Sequence, residues 1–363
     1  MKSEIRCLSY SATTGMLASG GKDGDIKFWP SDSRLAHELW TQLPAKLKRF
    51  PSTLTFSSES LAWSPDSAIF AIAEESEQGE EVVRLWDAKR LARLPDACPM
   101  EKVRALVFSP DGRDFLLGTR NGLVHSYSRS SHQLAPRQFD LGDQLFSLKY
   151  VNEGKQLIVV GFSKLAILDS GTWRVLQQTA LPKMEMCSAD INSTGTRLLR
   201  GDWDGSLEFF DMQTSHAIKR KAVFAGGHTA GFAFLSDERH AAVINGSALP
   251  VTIWDTATQN QVRQLRGHLL AGHGAGRSSD GQRLISGSTF PESAKIWDLR
   301  MDAMREVVNL KAPGNLFQTV GFSPDGSTVF AIENGGAAYF WRAPSWAEIA
   351  AAEAKEKTEI KRP

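Results

Sequence analysis

The side chains best placed to do chemistry lie in Gly272-His273-Gly274-Ala275-Gly276-Arg277. An imidazole and a guanidinium stand four residues apart there, on a glycine-rich run that lets backbone approach a ligand closely. Such a pair could hold an anion; an irregular strand is the plainer alternative. His268 and His273 are of a metal-ligating type, but two histidines without a third partner make a poor site, so no metal and no other cofactor is expected. The sequence has no Gly-Lys-Ser/Thr phosphate loop, no kinase-type glycine loop with a His-Arg-Asp, no Gly-x-Ser-x-Gly elbow and no His-Glu-x-x-His helix. Without a converging constellation the chain is expected not to be an enzyme.

Composition narrows the partners. Lys plus Arg number 42 against 41 acidic residues, so no long-range field draws the chain to nucleic acid or to an anionic membrane, and neither is expected as a partner. No apolar run approaches the roughly twenty residues that a membrane span needs. Cys7, Cys98 and Cys187 are far apart and lack metal spacing, which fits buried thiols in a reducing compartment. The N-terminal residues run straight into patterned sequence with no apolar leader. A cytoplasmic location is therefore expected, with the Asn192-Ser193-Thr194 and Asn245-Gly246-Ser247 glycosylation patterns unused.

The elements that must carry these residues repeat. The clearest copy is Val103 to Phe108, then Ser109-Pro110-Asp111-Gly112, Phe115 to Thr119, Arg120-Asn121-Gly122, and Leu123 to Tyr127. Alternating apolar residues give the period of a strand, and the Pro, Asp, Asn and Gly residues supply two tight reversals, so each copy reads as a β-meander. Units fall at about 5–29, 58–86, 103–127, 145–168, 186–210, 229–254, 272–297 and 317–341. Most third strands end 41 to 44 residues apart, which leaves room for a fourth strand, with candidates at Ala217–Lys219, Gln261–Leu265 and Glu306–Leu310. A four-stranded sheet that is apolar on both faces needs neighbours on both sides, and a radial ring provides them. The expected fold is thus an all-β propeller over residues 1–342, with a short C-terminal helical tail over 343–363 opened by the capping pattern Ser345-Trp346-Ala347-Glu348.

Trp86-Asp87, Trp254-Asp255 and Trp297-Asp298, the pairs Gly227-His228 and Gly267-His268, and the turns Ser109-Pro110-Asp111-Gly112, Ser323-Pro324-Asp325-Gly326, Lys22-Asp23-Gly24 and Trp203-Asp204-Gly205 resemble the WD-repeat (WD40) family. The resemblance covers about residues 5 to 342 and implies a WD40-type β-propeller. Eight blades are the expectation, and seven blades plus an extra unit the alternative. The spacer 30–57 could hold an outer strand such as Leu35–Leu39. In the family an Asp, a His, a Ser or Thr and the Trp of one repeat form a hydrogen-bonded network. No unit here shows all four: the first has Ser19, Asp23 and Trp29 without a His, and the seventh His268, Ser286 and Trp297 without the turn Asp. Tyr127, Leu168 and Phe210 replace the Trp in the middle units, so packing is expected to carry most of the rigidity. The C-terminal residues are similar to the ends of bacterial WD-repeat proteins joined to serine/threonine kinase domains, which raises the alternative of a regulatory or targeting segment of a larger kinase protein.

The resemblance also implies a role: a non-catalytic scaffold that binds protein or peptide partners on one face, as a monomer or as part of a larger complex. A propeller enzyme or small-molecule sensor would need polar groups converging on the channel, where only Glu59, Lys149, Asp190, His273 and Arg277 fall. Family positions that touch partners correspond here to Lys22, Arg120 and Trp203 in the turns, and to Arg6, Glu59, Arg104, Phe146, His273 and Gln318 in the first strands. Trp203, Arg104, Arg120 and Phe146 are the strongest candidates, because aromatic and arginine side chains dominate desolvated interfaces. The acidic run Glu74 to Glu81, or Lys46, Lys48 and Arg49, could contribute, with ordinary solvation as the alternative for each.

Overall fold

A computed structural model of the chain describes residues 5–11, 16–21, 26–30, 45–47 and, apart from connecting stretches of one to five residues, 61–342. Every element among them is a strand. β1 (Ile5–Ser11), β2 (Met16–Gly21) and β3 (Ile26–Pro30) form a three-stranded sheet, and β4 (Ala45–Leu47) follows. The first blade is β5 (Leu61–Trp63), β6 (Ile69–Glu75), β7 (Glu81–Asp87) and β8 (Ala92–Pro99); the second is β9 (Val103–Phe108), β10 (Asp114–Thr119), β11 (Leu123–Ser128) and β12 (Gln133–Asp140). The third holds β13 (Leu145–Val151), β14 (Gln156–Gly161), β15 (Lys164–Asp169) and β16 (Val175–Ala180), and the fourth β17 (Met186–Ile191), β18 (Arg197–Asp202), β19 (Ser206–Asp211) and β20 (His216–Ala222). β21 (Thr229–Phe234), β22 (His240–Asn245), β23 (Val251–Asp255) and β24 (Asn260–Leu265) make the fifth, and β25 (Gly272–Arg277), β26 (Arg283–Ser288), β27 (Ala294–Asp298) and β28 (Arg305–Leu310) the sixth. The seventh takes β29 (Phe317–Phe322), β30 (Thr328–Glu333) and β31 (Ala338–Arg342), completed by β4.

The turns between first and second strands form as their residues dictate. Ser109 Oγ donates to Asp111 Oδ1 at 2.6 Å, the same carboxylate accepts the Arg113 amide at 3.1 Å, and Gly112 takes the positive φ of 69°. Ser64 with Asp66, Ser278 with Asp280, and Ser323 with Asp325 repeat the Ser-to-Asp bond, each at 2.5 Å. Each strand then sends alternate side chains to opposite neighbours. On β9, Leu106 packs in a cluster shared with the first blade and Ala105 in one shared with the third.

Seven such clusters are found among the described residues, one at each junction of adjacent blades. The last of them joins Leu61, Phe70, Ile72 and Trp86 of the first blade to Phe330, Ala338 and Phe340 of the seventh. Phe70 and Phe340 lie 5.1 Å apart, and Trp63 and Phe330 6.4 Å, so the ring closes at this seam. First strands line the axis and approach closely: a Cβ on Gly276 of β25 would stand 2.7 Å from the Val320 carbonyl oxygen of β29.

The expectation of eight blades is therefore corrected to seven. β4 follows β3 in the chain, yet it does not become the fourth strand of that unit. It pairs antiparallel with β31 (Ala338 with Leu47, Tyr339 with Lys46, Phe340 with Ala45), and the direct aromatic contact between first and seventh blades leaves no place for another. Among the described residues the sheet β1–β3 pairs with no strand of the ring. The Leu35–Leu39 strand and the helix expected after Ser345 both lie outside the described residues. The candidate fourth strands are formed as part of β20, β24 and β28.

Phe70 is fully buried at the seam. Phe70→Ala should lower unfolding free energy by about 3–5 kcal/mol, read from a urea titration. A loss below about 1 kcal/mol would mean that the seam is not packed as described.

Candidate functional site

The loops leading into the first strands, together with the turns between second and third strands, share one end of the ring, called here the top face. Two groups of side chains assemble on it. The first spans the second and third blades. Arg104 on β9 lies with its Cζ 5.3 Å from the ring centre of Phe146 on β13 and 5.4 Å from that of Phe162 in the β14–β15 turn, while the two phenyl rings meet edge to face at 5.8 Å. Burial, and then the positive charge of the nearby Arg120, hold the Arg104 guanidinium below its ordinary value, although it stays cationic at neutral pH. Arg120 itself is exposed in the β10–β11 turn. Beneath them the fully buried Arg200 on β18 pairs with Glu208 on β19, and its Nη1 and Nη2 donate to the carbonyls of Phe162 at 3.2 Å and Pro182 at 2.9 Å respectively. An ion pair inside the fourth blade thus fixes the turn that presents Phe162.

The second group spans the fourth to sixth blades. Trp203, in the β18–β19 turn, is 44% exposed and its ring centre lies 4.8 Å from that of His228, which precedes β21. His228 in turn lies 6.1 Å from His273 on β25. Only 7% of His273 is exposed, and its buried Nε2 has no hydrogen-bond partner among the described residues. Burial first, then the charges of His228 and His268, bring the His273 imidazole down to about 4; burial also lowers that of His228. Both rings are neutral at physiological pH. A Cβ on Gly246 would fall 2.1 Å from His228 Cε1, so glycine at 246 is what lets the imidazole sit there.

The sixth blade carries a network that its sequence concealed. Trp297 Nε1 donates to Ser286 Oγ at 2.7 Å, His268 Nε2 lies 2.6 Å from the same oxygen, and His268 Nδ1 lies 3.2 Å from Glu292 Oε2. Ser288 Oγ donates to Glu292 Oε2 at 3.1 Å, and Lys295 Nζ lies 3.6 Å from Glu292 Oε1 and 3.0 Å from Glu306. Glu292 supplies the carboxylate for which a turn Asp was sought, and so this blade does contain all four partner types. Nothing in the residue type at a turn position would have revealed it, because the longer glutamate reaches in from an enlarged turn.

Arg104, Arg120, Phe146, Trp203 and His273 all occupy the top face, divided between the two groups. Arg6 on β1 and Gln318 on β29 are placed in strands but their side chains are not described, and Lys22 and Glu59 lie outside the described residues. Arg6 belongs to the sheet that stands outside the ring pairing, apart from the others. Phe162 and His228 were missed. The first sits in a turn without the Asp-Gly signature, and the second had been read only as part of a Gly-His signal. Among the described residues the inner charges pair with neighbouring blades. Lys149 reaches Asp190 at 2.7 Å across the third and fourth blades, and Asp190 also accepts the Phe234 amide at 3.0 Å. Arg277 faces Glu238 at 4.0 Å, at the end of β25 opposite His273, which removes the anion-holding pair. Among the described residues no three His, Cys, Asp or Glu side chains are grouped to hold a metal. Burial raises the Cys98 thiol to about 11, so it is not a nucleophile at neutral pH.

A closed ring of four-stranded blades presenting aromatic and arginine side chains from one face defines a β-propeller of the kind typical of protein-interaction scaffolds. Residues 2–30 match the family model "WD domain, G-beta repeat", and the ring of four-stranded sheets is that of a β-propeller. It is 29% identical to human apoptotic protease-activating factor 1 over 103 residues, which is 28% of this chain and only 8% of that protein. A chain in the crystal structure of the mitotic checkpoint complex superposes with a TM-score of 0.69 at 18% identity, over 87% of this chain and 97% of its own. A chain of hydrazine synthase from Kuenenia stuttgartiensis does so with a TM-score of 0.64 at 16% identity, over 79% and 96%. WD-repeat propellers are generally not enzymes, although the last of these structures is of one.

Burial holds His268 near 4 against an ordinary 6.5, with Glu292 opposing the shift. The unfolded chain therefore takes up this proton first, so stability present above pH 6.5 is lost as pH falls toward 4 and changes no further below it. The loss is on the order of 3 kcal/mol. His268→Gln should be less stable at pH 7 and show a smaller drop in urea midpoint between pH 7 and pH 4 than the wild type; equal drops would contradict a buried neutral imidazole.

Proposed function

We propose that the protein is a non-catalytic binding scaffold whose partners dock as peptide segments on the top face, across the Arg104 and Trp203 groups. The exposure of Trp203 carries this reading. Of the large apolar side chains exposed among the described residues, Leu134, Val175, Leu176 and Val262 lie on the outer strands β12, β16 and β24, and Trp203 alone lies on the top face. An indole left in water costs apolar hydration that a partner would remove, and tryptophan is a common anchor in interfaces. Arg104 is held rigid between two phenyl rings, and Arg120 extends beside it into solvent. Together they offer a pre-ordered cationic and aromatic surface on a scaffold that need not move to bind.

Because Arg104 is packed between rings, reversing its charge would disturb the fold as well as the surface; the test falls on exposed positions. Peptides selected by display on the wild-type protein should bind Arg120→Glu or Trp203→Ala at least about tenfold more weakly, the loss expected of an interface anchor. Arg113→Glu on the opposite face should leave binding unchanged, and all three variants should keep the wild-type melting temperature. Peptides that bind the Arg120 and Trp203 variants as well as the wild type would refute a top-face site.

A further inference from the structure

From the Trp203, His228 and His273 row we infer a pocket for a cationic side chain, an arginine or lysine of the docked peptide. The inference rests on the top-face binding reading and names the chemistry of one half of that face.

Three observations point the same way. The row is a run of ring faces 4.8 and 6.1 Å apart that begins at an exposed indole and ends at a buried imidazole. Ring faces are electron-rich and attract a desolvated cation, tryptophan most strongly. The two imidazoles would repel a cation if protonated, but their burial keeps them neutral, so the row acts as an uncharged aromatic surface at physiological pH.

Charge around the row has the matching sign. Asp202 and Asp204 bracket Trp203; Asp202 accepts the Trp203 amide at 2.7 Å and Asp204 the Ser206 amide at 2.8 Å, which holds both carboxylates at the base of the indole. Among the described residues beside the row, 202–205, 228–230, 246 and 270–273, these two aspartates are the only Asp, Glu, Lys or Arg side chains. Arg200, in the same blade, is neutralised by Glu208.

The buried Nε2 of His273 is the third observation. A ring nitrogen shut from water without a partner is costly, and native structures usually satisfy such atoms. A guanidinium or ammonium N–H entering beside His228 can donate to it, since one nitrogen of a neutral imidazole is an acceptor. Binding would then relieve a deficit already present in the free protein.

The test uses the whole chain and four blocked tripeptides, acetyl-Gly-X-Gly-amide with X arginine, lysine, citrulline or glutamate, followed by the Trp203 indole and His228 and His273 ring resonances. The arginine and lysine peptides should shift these signals saturably, and the citrulline and glutamate peptides at least several-fold more weakly. Trp203→Ala should weaken the cationic peptides by roughly 2- to 30-fold, with Trp203→Phe recovering part of the loss. Asp204→Asn keeps an acceptor for the turn amide while removing the charge, and should weaken them as well. Equal binding of arginine and citrulline, or no shift from either cationic peptide, overturns the pocket. If displayed peptides still depend on Trp203 and Arg120 in that case, the binding face stands and only its cation specificity is lost.

Discussion

Burial of apolar residues between neighbouring blades is the constraint on which everything else in this protein rests. A meander of four short strands with large residues on both faces cannot shield them alone. Each of the seven junctions answers with its own cluster, and residues adjacent on one strand, such as Ala105 and Leu106, serve different neighbours. The arrangement is periodic and so tolerates local substitution. Tyr127 and Phe210 fill clusters where other blades place tryptophan, and Leu168 does so in the third blade. It also explains why polar pins recur across the junctions: Lys149 to Asp190 links the third blade to the fourth, and Asp190 to the Phe234 amide links the fourth to the fifth.

A rigid ring then frees its upper loops for recognition. The side chains that stand out on the top face are each anchored from below by something structural. Arg200 and Glu208 hold the turn of Phe162, which with Phe146 clamps Arg104. The Asp202 and Asp204 carboxylates cap the turn of Trp203. Buried charge is costly unless paired and hydrogen-bonded, so its presence beneath these turns marks positions where geometry matters more than raw stability. The two halves differ in chemistry, an arginine clamped by phenyl rings on one and an indole stacked on an imidazole on the other, and a ligand that spans them would be oriented by that difference.

Much of this was legible in the sequence, and what was not has identifiable causes. Ser-x-Asp turns and alternating strands could be read because their chemistry is local, and the candidate fourth strands followed from the repeat length. The number of blades could not. It depends on three residues, Ala45, Lys46 and Leu47, whose pairing partner lies almost three hundred positions away. A strand that short has no pattern of its own, and counting inner strands alone gave one blade too many. Glu292 escaped because it reaches the His268 position from a turn of unfamiliar length. The place of Trp203 in a top-face turn followed from its sequence position, whereas its stacking on His228 depends on Gly246 in a different hairpin.

The pairing of β4 with β31 also bears on how the molecule comes into being. On a ribosome the strand around Lys46 is made almost three hundred residues before Tyr339, its register partner and among the last residues of the ring. Contacts of such separation are slow to form, because the loop-closure entropy comes due before the reward. Through most of synthesis the nascent blades would therefore stand as an open arc with the apolar side of the first, around Phe70 and Leu61, still uncovered. That interval is when the chain is most exposed to wrong partners, including another copy of its own final blade.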